Sequence, residues 1–293
     1  MEERRVILVG KTGNGKSSTG NSILGYDKFK AEHSSASVTK SCEIFTSIKR
    51  NTRPVYNVCD TPGLLCAGEN IVDVALEVQR SVKIWKSTHA FLLVLSATCR
   101  MTEDEKHAVG LLLIIFGEKF FENCIVVFTR GNEFESDLKF EEFLKKNSEM
   151  KVLIEKCGHR AVRIDNGINP EGLGRLLTMI EEVSKDGTCT YDYPSLDIHT
   201  EKLREYRKLY DDSKPIGAHI VALSGMLKAA LNYDVWKSAS YYISTSLTSV
   251  AVVYAAAYLL PTVGQEGGYA IGAFASALAT NVVKGFAYNL KFW

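Results

Sequence analysis

Short apolar runs alternate with amphipathic stretches along the first two thirds of the chain. Arg5–Gly10 is a short apolar run that ends in a glycine, and it predicts a strand followed by a loop and a helix. Ala90–Ser96 and Cys124–Thr129 are continuous apolar runs, typical of parallel strands that are buried on both faces. Spacings of three and four predict one helix, with Ile71, Val74, Val78, Val82 and Trp85 on its buried face.

Further elements follow the same alternation. Thr102 with Glu105 forms a capping box before a helix that should end near Gly117, and Ser136 is placed to cap another helix. The remaining segments comprise an antiparallel strand pair at Glu43–Arg50 and Pro54–Cys59, a short strand at Arg160–Ile164 and a helix at Glu171–Ser184. We therefore predict an α/β fold, with a mostly parallel sheet covered by helices on both faces.

The last third of the chain has a different pattern. A charged helix-like stretch, Leu196–Asp212, precedes an amphipathic segment that begins after Pro215. The tail from Ser238 onward is almost uncharged. We divide the chain into a globular domain at 1–190, a helical extension at 191–237 and a hydrophobic helical hairpin at 238–293.

The charge distribution supports this division. The formal net charge is +1, which gives no support for a nucleic-acid partner, because such proteins usually carry a basic excess. The tail holds only three charged residues: Glu266, Lys284 and Lys291. Seven widely spaced cysteines, none in a Cys-x-x-Cys pair, fit a reducing compartment better than a disulfide framework.

Two interpretations of the tail remain. Ser238–Gln265 is a run of 28 uncharged residues and Gly267–Val283 is a run of 17, so a helical hairpin that enters a bilayer through residues 238–290 is one interpretation. The run is rich in Ala, Ser, Thr, Tyr and Gly, so helices that pack on protein are the other. The first places the chain on the cytoplasmic side of an intracellular membrane, and the second places it in the cytosol.

One motif carries specific chemistry. Residues 10–17 match the pattern GxxxxGK[ST] between a predicted strand and a predicted helix. In this pattern backbone N–H groups surround phosphates, Lys16 reaches the β- and γ-phosphates, and the Ser17 hydroxyl binds Mg²⁺. The other predicted contacts of the loop are Gly10, Lys11, Thr12, Gly13, Asn14, Gly15 and Ser18.

Two further segments complete the predicted phosphate and metal site. Asp60-Thr-Pro-Gly63 follows an apolar strand, so Asp60 is a candidate ligand of Mg²⁺ and the Gly63 N–H a candidate contact of the γ-phosphate. Thr39 lies in a polar loop between the two motifs, and it is a candidate second Mg²⁺ ligand with a catalytic role. A solvated loop without a ligand explains Thr39 equally well.

Several segments together resemble the immunity-associated GTPase family of the GIMAP or IAN type, which is related to the septins and the chloroplast-import GTPases. The resemblance covers about residues 4–185 and rests on VGKTGNGKSSTGNSILG (9–25), SVTKSC (37–42), DTPGL (60–64), HAFLLVLSATCRMTEDE (89–105), IFGEKF (115–120) and FTRGNEF (128–134). It implies a Ras-like P-loop G domain that binds GTP or GDP with Mg²⁺, and a nucleotide face through which two copies associate as a homodimer or larger oligomer.

The resemblance also implies which residues contact the base. Thr129, Arg130 and Asn132 occupy the guanine-specificity position, where the family usually has an acidic residue in place of Asn132. The Asn132 amide offers one acceptor oxygen, and its NH₂ group would face an N–H donor of the guanine base. Either Glu133 substitutes through a one-residue shift, or guanine selectivity is weakened. Asn166 resembles the final base contact of the family, although an ordinary turn residue fits its setting too.

The residue that follows Gly63 bears on the rate of hydrolysis. Leu64 follows Gly63 where many efficient GTPases place a water-orienting glutamine, so the isolated domain should be slow. Arg100, at the start of the segment peculiar to the family, is the candidate arginine that a partner copy supplies; a surface or interface arginine is the alternative. We expect a GTP-binding switch with slow or dimerisation-dependent hydrolysis. A non-hydrolysing GTP-dependent scaffold and an NTPase of relaxed specificity remain alternatives.

Overall fold

The computed structural model describes residues 2–31, 39–49, 54–66, 68–85, 87–97, 101–165 and 170–231. Six strands form one sheet: β1 (Glu3–Val9), β2 (Glu43–Thr46), β3 (Val55–Asp60), β4 (Ala90–Ser96), β5 (Cys124–Thr129) and β6 (Ala161–Arg163). Their order across the sheet is β2-β3-β1-β4-β5-β6, and only β2 runs antiparallel to its neighbour. The predicted α/β architecture with a mostly parallel sheet is confirmed.

Eight α-helices are present in the described part of the chain: α1 (Lys16–Leu24), α2 (Ile71–Trp85), α3 (Glu103–Phe116), α4 (Asp137–Lys146), α5 (Ser148–Lys156), α6 (Pro170–Ser184), α7 (Leu196–Arg207) and α8 (Ile216–Leu231). The predicted caps are present, because Thr102 and Glu105 form a reciprocal capping box and the Ser136 side chain accepts from the Lys139 N–H. The sequence analysis did not assign α5, which Asn147 caps.

Helices cover both faces of the sheet. Residues of α1 and α6, such as Ile23 and Leu176, bury one face, and the larger core on the other face includes residues of α2, α3, α7 and α8. The β4 strand is buried along its whole length, as its unbroken apolar run predicts. Four parallel strands end at the same edge of the sheet: β1, β3, β4 and β5. The loops that follow them form the candidate site.

The predicted helical extension packs on the same core. Leu203 of α7 and Ile220, Leu223 and Leu227 of α8 are buried in the cluster that covers α2 and α3. Helix α8 lies against α3 and α7. No helix among the described residues is both long and apolar enough to cross a bilayer. The predicted hairpin at 238–293 lies outside the described residues.

Candidate functional site

The loop between β1 and α1 encloses the Lys16 ammonium group. Lys16 is buried, and its Nζ donates to the Gly10 carbonyl at 3.2 Å and to the Lys11 carbonyl at 3.1 Å. Gly10 has φ +139°, and a Cβ there would lie 2.5 Å from the Val94 carbonyl oxygen of β4. Only glycine fits this position, because a side chain would be both strained and blocked by backbone.

Helix α1 begins at Lys16, directly after the loop. The first N–H groups of a helix have no partner within it, so those of α1 open toward the loop. The helix dipole adds partial positive charge at the same point. Together with the buried ammonium, this end of α1 suits a phosphate group.

Three oxygen-bearing side chains meet beside the loop. The Ser17 hydroxyl donates to the Asp60 Oδ2 at 2.6 Å, and the Thr39 hydroxyl donates to the same oxygen at 3.2 Å. Ser17 comes from α1, Asp60 ends β3, and Thr39 precedes β2. Three residues that the sequence analysis assigned to a metal site thus lie together, although 43 positions separate Ser17 from Asp60.

Burial perturbs both charged groups. It raises the pKa of the Asp60 carboxyl, against the attraction of Lys16 and the hydrogen bonds from Ser17 and Thr39. Burial also lowers the pKa of the Lys16 ammonium, against the attraction of Asp60. The Oδ1 atom of Asp60 is buried without a hydrogen-bond partner among the described residues. A bound cation at Asp60 and an anion at Lys16 would each offset such a desolvation cost.

The segment after β3 is hydrogen-bonded to the phosphate loop. The Leu64 N–H donates to the Gly10 carbonyl at 3.1 Å, and the Thr12 N–H donates to the Leu64 carbonyl at 3.3 Å. Leu64 itself is fully buried. Gly63 lies directly against the loop, since a Cβ there would be 2.7 Å from the Thr12 Cα. Its contact with a terminal phosphate stays a prediction.

Helix α3 contacts the loop through charged groups that the sequence analysis did not pair. Lys11 forms an ion pair with Asp104 at 2.6 Å. Glu105 is buried beside it, and burial raises the pKa of its carboxyl against the hydrogen bonds from Thr102. The capping box of α3 is thereby linked to the phosphate loop. Nothing in the local pattern pairs Lys11 with Asp104, because they are 93 positions apart.

The predicted base-recognition residues follow β5 on the other side of the loop. The Thr129 hydroxyl donates to the Asn14 carbonyl at 2.8 Å, so it ties β5 to the phosphate loop. Arg130 is exposed and has φ +59°, which turns the chain into a short 3₁₀ helix at Gly131–Glu133. Asn132 is exposed on this turn.

An arginine that the sequence analysis missed supports this turn. Arg163, at the end of β6, donates to the Gly131 carbonyl at 2.9 Å and to the Phe134 carbonyl at 3.0 Å. Its Nε also binds Asp137 at 2.6 Å, and Arg175 binds the same carboxylate at 2.8 Å. The two arginines, Arg175 foremost, lower the pKa of Asp137 to about 2.

Some predicted residues cannot be placed in this geometry. Arg100 and Asn166 lie outside the described residues, and the Glu133 side chain is not described either. The roles of these three residues remain predictions. The phosphate loop with Ser17, Thr39, Asp60 and Gly63 forms one cluster, and Thr129 links it to the turn that carries Arg130 and Asn132.

Known proteins resemble this chain in sequence and in architecture. Residues 4–207 match the AIG1 family. Immune-associated nucleotide-binding protein 12 of Arabidopsis thaliana is 38% identical over 190 residues, which cover 62% of this chain and 48% of that protein. Protein 10 of the same series is 32% identical over 240 residues, which cover 75% of this chain and 50% of that protein. The chain thus spans about half the length of these two relatives.

A solved structure shows the same fold at low identity. A dimerization-deficient mutant of Toc33 from Arabidopsis thaliana aligns with a TM-score of 0.51 and 19% identity, over 64% of this chain and 85% of that one. The P-loop architecture of the described residues therefore has a solved counterpart. Because the family match extends over more than half of its residues, this chain belongs to the AIG1 family.

Proposed function

We propose that this protein binds GTP and GDP with Mg²⁺ and acts as a nucleotide-controlled switch. The observation that carries the proposal is the meeting of Lys16, Ser17, Thr39 and Asp60 beside a glycine-rich loop at the start of a helix. Lys16 and the first N–H groups of α1 hold the phosphates, while Asp60, Ser17 and Thr39 face the metal. The relatives' names describe nucleotide-binding proteins, which supports the same site.

The oxygen ligands fit Mg²⁺ better than a transition metal. The described residues include no cluster of three or more His, Cys, Asp and Glu side chains that could hold a metal ion. Mg²⁺ is usually held by one or two carboxylates together with substrate phosphates and water. One carboxylate with two hydroxyls matches that pattern. Bound there, the ion would neutralise phosphate charge.

Base selectivity depends on the turn after β5. Guanine recognition by an acidic side chain would have to come from Glu133, because Asn132 supplies only one acceptor oxygen. If Glu133 does not reach the base, related bases should compete almost equally. Competition of labelled GTP by ATP, ITP and XTP distinguishes a guanine-specific protein from an NTPase of relaxed specificity.

Hydrolysis should be slow in the isolated chain. Leu64 follows Gly63 and is fully buried and apolar, so it orients no water molecule. A second copy that associates through the nucleotide face would then have to complete the site, and Arg100 remains our candidate for the arginine it supplies. Under this proposal the hydrophobic tail at 238–293 holds the assembly on the cytoplasmic side of an intracellular membrane.

The nucleotide site is tested by removing its charge and its metal ligand. Lys16→Ala deletes the ammonium that faces the phosphates, and Ser17→Asn replaces a metal-binding hydroxyl. We expect each variant to lose at least about tenfold in affinity for GDP and GTP, since hydrogen bonds to charged groups contribute about 1.5–3 kcal/mol. Calorimetric titration of both nucleotides with the full chain measures this. Parent-like binding by either variant would show that the site is assigned wrongly.

A scaffold that binds GTP without hydrolysing it is a second candidate, favoured by the buried apolar Leu64. Phosphate release measured over a series of protein concentrations separates the two. Specific activity that rises with concentration supports hydrolysis in a dimer. No release at any concentration supports the scaffold.

A further inference from the structure

One hydroxyl of the phosphate loop has no hydrogen-bond partner among the described residues. The Thr12 Oγ1 atom is buried, and no described residue offers it a hydrogen bond. A threonine hydroxyl commonly bonds to a nearby backbone carbonyl when it is turned away from solvent. Leaving such a group unsatisfied costs about 1–3 kcal/mol. We therefore expect the hydrogen-bond acceptor of this hydroxyl to belong to a bound ligand.

The surroundings of Thr12 locate that acceptor. A Cβ at Gly63 would lie 2.1 Å from the Thr12 Oγ1 and 2.7 Å from the Thr12 Cα. The hydroxyl thus lies between the phosphate loop and the segment after β3. Two main-chain hydrogen bonds join these segments on either side of it, from Leu64 to Gly10 and from Thr12 to Leu64.

We infer that the Thr12 hydroxyl donates a hydrogen bond to the terminal phosphate of GTP and makes the site distinguish GTP from GDP. The inference rests on the proposed function and adds a side-chain contact to it. The start of α1 and the backbone N–H groups of the loop serve the inner phosphates. Thr12 instead faces Gly63, the residue predicted to contact the terminal phosphate, and GDP has no such group.

The test measures binding without turnover. Thr12→Val keeps the shape of the side chain and removes the hydroxyl, whereas Thr12→Ser keeps the hydroxyl. Each full-length variant is titrated by calorimetry with GDP and with a non-hydrolysable GTP analogue in Mg²⁺. Thr12→Val should lose about tenfold or more in affinity for the analogue relative to its affinity for GDP, so the ratio of the two affinities should shift by that factor. Thr12→Ser should retain the parent's ratio of the two affinities.

Other outcomes overturn the inference. Equal losses for both nucleotides in Thr12→Val would show that the residue supports the loop only, and unchanged affinities would show that the hydroxyl makes no contact. If Thr12→Val does not fold, Thr12→Ala compared with Thr12→Ser isolates the hydroxyl in the same way. If the parent chain binds neither nucleotide, the proposed function itself is wrong. If the parent binds both nucleotides and Thr12→Val does not behave as expected, only the inference about Thr12 is wrong.

Discussion

At the scale of single residues, the site depends on close approaches that leave no room for side chains. Gly10 lies against the backbone of β4, and Gly63 lies against Thr12. Both contacts bring together backbone from segments that are far apart in the chain. A glycine in a motif therefore has a physical role that its spacing alone does not explain.

We predict that Gly63→Ala disrupts the contact between residues 63–64 and the phosphate loop. The added methyl group would lie 2.7 Å from the Thr12 Cα, so backbone must move and the hydrogen bonds of Leu64 should weaken. We expect a loss of about 1–3 kcal/mol in unfolding free energy, as in other overpacked positions, together with weaker binding of a GTP analogue. Denaturant unfolding and calorimetry measure these effects.

Gly174→Ala is the matched control for this substitution. Gly174 lies inside α6, and a Cβ there meets no atom within 4 Å. Alanine should therefore stabilise the helix by about 0.5–1 kcal/mol. If Gly63→Ala were as stable as Gly174→Ala, the close approach of Gly63 to Thr12 would not be a constraint.

At the scale of elements, the turn predicted to recognise the base depends on β6 and α4. Arg163 joins the turn to Asp137 at the start of α4 through the Gly131 and Phe134 carbonyls. The Gly131 N–H also donates to the Ile164 carbonyl at 3.1 Å. A short strand of three residues thus positions the turn on which nucleotide selectivity should depend.

We predict that Arg163→Ala weakens guanine-nucleotide binding and that Arg175→Ala does not. Both arginines bind Asp137, but only Arg163 also holds carbonyls of the turn. Loss of those bonds should reduce GDP affinity about fivefold or more and destabilise the fold by about 1–2 kcal/mol. The exposed Arg175 pair should contribute less than about 1 kcal/mol.

Titration with GDP and thermal unfolding of the two variants provide the comparison. A similar loss of affinity in both variants would mean that the shared Asp137 pair matters and the carbonyl contacts of Arg163 do not.

At the scale of the whole molecule, the helical extension is joined to the nucleotide-binding part through one hydrophobic core. Helix α7 packs on α2 and α3, and α8 packs on α3 and α7. Two ion pairs on the surface, Lys83–Asp197 and Arg207–Asp73, also connect α7 to α2. Because exposed pairs contribute little, buried apolar contacts should provide most of the attachment.

We predict that Leu203→Ala destabilises the whole chain. Leu203 is fully buried in the core that covers α2 and α3, so truncation should cost about 2–5 kcal/mol in unfolding free energy. Leu209→Ala, at a leucine that is 51% exposed just beyond α7, should stay within about 0.5 kcal/mol of the parent. Chemical denaturation followed by circular dichroism measures both. Two separate transitions in Leu203→Ala would mean that the extension folds independently.

The sequence alone predicted most of the strands and helices, because the spacing of hydrophobic residues and the capping residues are local signals. The unbroken run of β4, the spacing in α2 and the Thr102 capping box each identify their element without reference to the rest of the chain. The phosphate motif likewise predicts roles for Lys16 and Ser17 from local sequence, since its residues are consecutive. Helix α5 was missed, because its short apolar pattern directly follows α4 with Asn147 as the only break.

Only the tertiary structure decided which distant residues meet. The Lys11–Asp104 pair, the support of the turn by Arg163 and the position of the Thr12 hydroxyl against Gly63 all join segments that are far apart in the chain. It also placed α7 and α8, from the predicted helical extension, on the core of α2 and α3. Such contacts follow from how the sheet orders its strands, because the strand order brings together loops that no local pattern relates.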